Sequence, residues 1–108
     1  MHRDLKLENI LMCKNGYIKL IDFGMARILK SGQLAQTYAG TVEYMAPEML
    51  QKTSELSYNK SIDWWSLGIL LFEMLTGVTP FFNQNSYKVK DNIRSKFKVP
   101  SWPTQRTA

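Results

Sequence analysis

Cysteine is almost missing from this chain of 108 residues: Cys13 stands alone. That excludes an internal disulfide framework and suits a reducing compartment, the cytoplasm or the nucleus. Long apolar runs are missing too. The most hydrophobic stretch, Ile62 to Leu75, is fourteen residues long and contains Asp63 and Glu73. It falls short of the roughly eighteen residues that a spanning helix needs, so no transmembrane segment is expected. Charge follows Met1 at once, so no signal peptide is read there. Acidic residues are scarce at one end only. Residues 1–80 hold eight Lys or Arg against eight Asp or Glu, whereas residues 81–108 hold six against one. The whole net charge of +5 is therefore local to the last quarter of the chain.

What is present is enough apolar material for one core, 44% hydrophobic with three Trp. The first 24 residues carry the chemistry. Ile10 to Cys13 and Tyr17 to Ile21 are short apolar runs joined across Asn15-Gly16, which predicts a β-hairpin. Its two arms return the chain to where it began, so Asn9 and Asp22 flank the open end about 5 Å apart, one strand spacing. An amide oxygen and a carboxylate at that separation suit Mg²⁺, which completes its shell with water and substrate phosphates. A nucleotide partner is implied. Asp4 and Lys6 precede Asn9 on the same loop and face the same way if it is extended. A carboxylate, an ammonium and a metal that converge suit phosphoryl transfer, which needs positioning and charge neutralisation more than covalent chemistry. Asp4 is the expected acceptor of the hydroxyl proton.

His2-Arg3-Asp4 through Asn9, then Asp22-Phe23-Gly24, then Ala46-Pro47-Glu48 resemble the catalytic loop, metal loop and activation-segment end of eukaryotic protein kinases. The tripeptide alone is weak; three signatures in order are strong. The resemblance implies an α+β kinase-like fold, of which residues 1–108 are a fragment of the mainly helical C-terminal lobe without the small lobe. Within it, residues 1–24 are the catalytic loop, hairpin and metal loop, residues 25–48 the activation segment, and residues 49–108 the helical part. It also implies ATP and Mg²⁺ as cofactors, with Asp4 and Lys6 catalytic, Asn9 and Asp22 on the metal, and Lys6, Asn9 and Leu11 against the nucleotide. The glycine-rich loop, strand lysine, helix glutamate and hinge of such kinases do not occur among the 108 residues. The chain is therefore expected to be a slice of a longer kinase, inefficient alone, with Met1 an internal methionine.

The run from Met25 to Ala46 is polar and without periodicity, and predicts a mobile loop. By the resemblance, Thr37 stands at the activating phosphosite, a target for an upstream kinase, with Arg3 and Arg27 as partners for the phosphate. Thr41 matches the residue beside the catalytic Asp and Lys, which favours serine or threonine substrates. The doubled Trp64-Trp65 and Gly40-Thr41-x-Glu43-Tyr44 resemble the AGC group, which contains the cAMP-dependent kinase and protein kinase C. In that group Glu8 and Glu73 match acidic positions that receive an arginine of the protein substrate; Glu73 is equally explained as a buried structural acid. Glu48 is expected to anchor the segment but to lack its arginine, since Arg106 is a poor substitute.

Pro47 suits the first turn of a short helix through Leu50. The loop Gln51 to Asn59 carries no assignable chemistry, and Asn59 or Ser61 is a plausible N-cap. Ser61 to Gly77 predicts a helix buried on nearly every face and stopped by Gly77. Missing neighbours would leave part of its apolar surface exposed, and the isolated chain is expected to aggregate or stay molten. By the resemblance, Asp63 accepts hydrogen bonds from the backbone near His2 and Arg3, His2 stacks with Phe23, and Leu70 and Met74 lie beneath the nucleotide. Asn83 to Lys98 predicts a basic amphipathic helix with Val89, Ile93 and Phe97 on one side, a solvated surface helix more than a membrane or calmodulin ligand. Protein substrates are the expected partners, and no nucleic acid is expected. The alternative of a different class is a truncated, non-catalytic kinase-like protein that binds substrates or regulators through residues 25–48 and the basic helix.

Overall fold

The computed structural model describes residues 1–95. A two-stranded antiparallel sheet, β1 (Ile10–Met12) and β2 (Ile18–Leu20), pairs Ile10 with Leu20, Leu11 with Lys19 and Met12 with Ile18. The arms are shorter than the apolar runs, but hydrogen bonds extend the pairing at both ends. Cys13 N–H donates to Tyr17 O at 2.8 Å, and Ile21 N–H donates to Asn9 O at 3.0 Å. The hairpin loop closes as Gly16 N–H reaches Cys13 O with Gly16 at φ 84°, the left-handed position that glycine tolerates.

After β2 the described chain forms no helix until short 3₁₀ turns at Val42–Tyr44, Pro47–Leu50 and Thr53–Glu55. Helix α1, Ser61–Thr76, has the expected bounds. Asn59 Oδ1 accepts Ser61 N–H at 2.9 Å before its first turn. Gly77 ends it at φ 85°, its N–H on Glu73 O at 2.7 Å, a left-handed cap that only glycine adopts cheaply. Helix α2 runs Ser86–Arg94, shorter than the predicted Asn83 to Lys98. Asn83 accepts Asn85 N–H in a turn, and Asn85 then caps α2 by accepting Tyr87 N–H at 3.0 Å. These local side-chain bonds compete with an earlier helix start. Lys96, Phe97, Lys98 and Arg106 lie outside the described residues.

The core sits between α1, α2 and the turns at 42–50. Met45, Ala46, Met49, Leu50, Leu56, Tyr58, Ile62, Val89 and Ile93 are buried together with Ala35, and Tyr44, Ile69 and Leu70 form a second cluster. Burial on nearly every face of α1 is corrected by the structure. Ile62, Ser66, Ile69 and Leu70 form a buried stripe, whereas Trp64, Leu71, Met74 and Leu75 are exposed. Apolar composition marks what a helix is able to bury; the neighbours present decide how much it does bury. Trp65 is partly covered by stacking on Phe81 at 6.0 Å.

Candidate active site

The loop of residues 2–9 is held from below by one side chain. Asp63, on the first turn of α1, accepts His2 N–H at 2.7 Å through Oδ2 and Arg3 N–H at 2.9 Å through Oδ1. Both carboxylate oxygens are thereby used on backbone donors, which is how a half-buried charge is satisfied. Arg3 takes φ 69°, a conformation that costs a non-glycine residue free energy. Gly40 approaches so closely that a Cβ there would lie 2.7 Å from Arg3 O. Glycine at 40 lets the Thr41 loop touch the loop of Asp4.

That approach assembles three side chains. Thr41 Oγ1 donates to Asp4 Oδ1 at 2.9 Å and accepts from Lys6 Nζ at 3.0 Å. Lys6 Nζ lies 3.6 Å from Asp4 Oδ2. Lys6 is extended, φ −158° and ψ 164°, and its ammonium lies on the side of the Asp4 carboxylate, as the spacing predicted. Buried Asn9 donates from Nδ2 to Asp4 O at 2.9 Å. The bond folds the loop back on itself and places the amide beside the start of β1.

Asp22 follows Ile21, whose N–H is on Asn9 O. It adopts φ 60° and its Oδ1 accepts Gly24 N–H at 3.2 Å. The hairpin thus brings Asn9 and Asp22 to the same open end. Asp22 Oδ2 and Asn9 Oδ1 accept no hydrogen bond among the described residues, and Asp22 is exposed. One carboxylate and one amide oxygen with free lone pairs suit a hard divalent cation that keeps several waters. Leu11, in β1, is half exposed and faces solvent. His2 accepts Asp4 N–H at Nδ1 and therefore carries its proton on Nε2, which donates to Ile21 O at 3.1 Å. Its ring meets Phe23 edge-on at 5.2 Å.

The Thr37 region is fixed differently from expectation. Thr37 is exposed, and its carbonyl accepts the hydroxyl of Tyr58. That hydroxyl also accepts from Arg3 Nη1 at 3.0 Å, while Arg3 Nε donates to Met25 O at 2.5 Å. Arg27 pairs with Met1 through the backbone, N–H to O and N-terminus to O, both at 2.9 Å, and no hydrogen bond joins it to Thr37 among the described residues. Tyr58 is the residue the sequence did not reveal. The loop Gln51 to Asn59 carries a contact to the loop of Asp4 after all, and a tyrosine in a polar loop gives no signal of where its hydroxyl lands.

Glu73 Oε2 accepts the hydroxyl of buried Tyr44. Burial, then the bond and charge of Glu73, then the nearby charge of Glu8, push the Tyr44 hydroxyl well above the ordinary tyrosine range. Glu8 and Glu73 thus both bear on one tyrosine hydroxyl, Glu8 exposed and Glu73 partly buried. Glu48 forms no ion pair among the described residues; Arg94 donates instead to Leu50 O at 2.6 Å and lies 3.9 Å from the Asp91 carboxylate.

Residues 1–107 match the protein kinase domain family. The chain is similar to cAMP-dependent protein kinase type 3 of Saccharomyces cerevisiae, 48% identical over 93% of this chain and 24% of that protein. The cAMP-dependent protein kinase catalytic subunit of Schizosaccharomyces pombe is 45% identical over 94% of this chain and 19% of that protein. A serine/threonine-protein kinase of Arabidopsis thaliana is 43% identical over 94% and 21% respectively. The chain spans a quarter or less of the length of these curated relatives. Their names accord with the resemblance to the group of the cAMP-dependent kinase carried by Gly40 to Tyr44 and Trp64-Trp65. The chain belongs to the protein kinase domain family.

Proposed function

We propose that residues 1–108 are part of the large lobe of a serine/threonine protein kinase of AGC type that acts in the cytoplasm or nucleus. The observation that carries this is the contact set of Asp4, Lys6 and Thr41, three side chains from two loops that meet within 3.6 Å beside Asn9. Asp4 accepts the proton of the attacking hydroxyl, and Thr41 fixes its carboxylate through one oxygen. Lys6 supplies positive charge where the transferred phosphoryl group gains negative charge. Asn9 and Asp22 would hold Mg²⁺, which neutralises phosphate charge when bound. Leu11 offers an apolar face for the base of ATP.

Glu8 and Glu73 both bring negative charge near the Tyr44 hydroxyl, and this supports a preference for basic residues upstream of the target. Asp63 holds the loop so that Asp4 does not move when substrate arrives. Thr37 is the proposed site for an upstream kinase, and Arg3, one hydroxyl away, is its proposed phosphate partner; Arg27 is the weaker candidate. The test is phosphate transfer from ATP to a serine peptide with two upstream arginines, by the full protein that carries this chain. Transfer is expected to fall about a thousandfold in Asp4→Asn, and the preference over an alanine-substituted peptide to fall in Glu8→Gln. Equal transfer by wild type and Asp4→Asn contradicts the proposal.

A further inference from the structure

The Tyr58 ring is 3% exposed, and its one hydroxyl is used twice, as acceptor from Arg3 and donor to Thr37 O. Its backbone forms an isolated antiparallel bridge with Ala35: Ala35 N–H to Tyr58 O at 2.8 Å, Tyr58 N–H to Ala35 O at 3.0 Å. Arg3 carries the connection onward to Met25 O. One phenol and one guanidinium therefore join four stretches: the loop of Asp4, the residues after Asp22, the loop of Thr37 and the approach to α1. Among the described residues, no other hydrogen bond links residues 28–38 to residues 2–9.

We propose that Tyr58 is a positioning residue that holds the Thr37 loop against the loop of Asp4 without a phosphate, by engaging the guanidinium proposed above as the partner of a phosphate on Thr37. This rests on the reading of Thr37 as a phosphorylated residue. The Arg3 backbone is held by the Asp63 carboxylate and its guanidinium by Nε on Met25 O, so the guanidinium keeps one anchor when Tyr58 is lost. Thr37 is one hydroxyl away. A neutral phenol gives Arg3 one ordinary bond, whereas a phosphate gives charge-assisted, bidentate bonds. The hydroxyl thus supplies in part what phosphorylation supplies in full. Without it, order in the Thr37 loop depends on the phosphate.

Hydrogen exchange on the full protein that carries this chain tests this, with Thr37 or phosphothreonine at position 37, in wild type and Tyr58→Phe. In Tyr58→Phe the amides of Ala35 and Tyr58 are expected to exchange about tenfold faster, with Ile69 and Leu70 unchanged. Phosphothreonine is expected to restore them to within about twofold of wild type. Unchanged exchange at Ala35 in Tyr58→Phe overturns the proposal, and so does an acceleration that the phosphate fails to reverse. If Ile69 and Leu70 also accelerate, Arg3→Lys decides by the same amides. Lysine keeps the charge but is unable to bond Met25 O and Tyr58 together or to hold a phosphate bidentately, so Ala35 must again accelerate and the phosphate must restore it less than in Tyr58→Phe. No nucleotide or metal enters the experiment, so its failure leaves the kinase reading standing, and loss of the kinase reading leaves this result legible.

Discussion

Asp63 and Arg3 are sixty residues apart in sequence, yet Arg3 N–H lies 2.9 Å from the Asp63 carboxylate. His2 N–H shares the same carboxylate at 2.7 Å, so the start of α1 is the platform of the loop that carries Asp4. Asp63→Asn turns one acceptor into a donor that faces a backbone N–H. A stability loss of about 2–3 kcal/mol is expected, as for charge-assisted bonds, measured by urea denaturation. A loss within error of zero would mean that the loop is held by other contacts.

Two glycines should respond oppositely to alanine. Gly40 sits at φ 111° with Arg3 O in the way, whereas Gly68 lies mid-helix with nothing within 4 Å of an added Cβ. Gly40→Ala should destabilise by roughly 2 kcal/mol or more through strain and overlap, and Gly68→Ala should stabilise by about 0.5–1 kcal/mol. Melting temperatures that move in the same direction for both variants would refute the close approach.

Alkaline pH should weaken the fold through Tyr44. Its hydroxyl is pushed up mainly by burial and then by Glu73, so the folded chain keeps a proton that the unfolded chain loses near pH 10. The contribution is present in full below about pH 10 and is lost as pH rises further. Tyr44→Phe should show a shallower fall of stability between about pH 10 and 11. Parallel pH profiles for wild type and Tyr44→Phe would place the hydroxyl in water instead.

Helix α1 presents Trp64, Leu71, Met74 and Leu75 to solvent at helical spacing, a stripe large enough to drive association. Sedimentation should show concentration-dependent self-association of the 108-residue chain. The double change Leu71→Glu and Leu75→Glu should raise its onset about tenfold. A wild-type monomer at every concentration would show that the stripe is innocuous.

The hairpin, both helices and the Asp63 anchor were legible in the sequence for different reasons. Asn15-Gly16 between apolar runs marks a turn by its own backbone preference. Gly77 marks the end of α1 in the same way. The anchor of His2 and Arg3 on Asp63 came only through the kinase resemblance, since nothing local relates residues sixty apart. The contacts of Tyr58 were not legible, because they depend on where a loop without periodicity is laid down. The start of α2 was misplaced by three residues because Asn83 and Asn85 both offer cap chemistry, and only the structure shows that Asn85 uses it on the helix. The exposed side of α1 was misjudged for a related reason, since composition reports what a helix is able to bury and not which neighbours are present.

The most direct measurement of whether Asn9 and Asp22 form a metal and nucleotide site is paramagnetic broadening by Mn²⁺ with ATP, followed on the amides of these residues in the full protein that carries this chain. Residues around Asn9, Asp22 and Gly24 should broaden with Mn²⁺-ATP, Mg²⁺ should compete, and Asp22→Asn should abolish the effect. The fold is expected to survive that change, because the exposed Asp22 carboxylate bonds only Gly24 N–H. Site-specific broadening lost in Asp22→Asn is the result expected of a kinase catalytic site. No nucleotide-dependent broadening in wild type, or equal broadening in Asp22→Asn, would contradict it and favour a kinase-like protein that binds partners without catalysis.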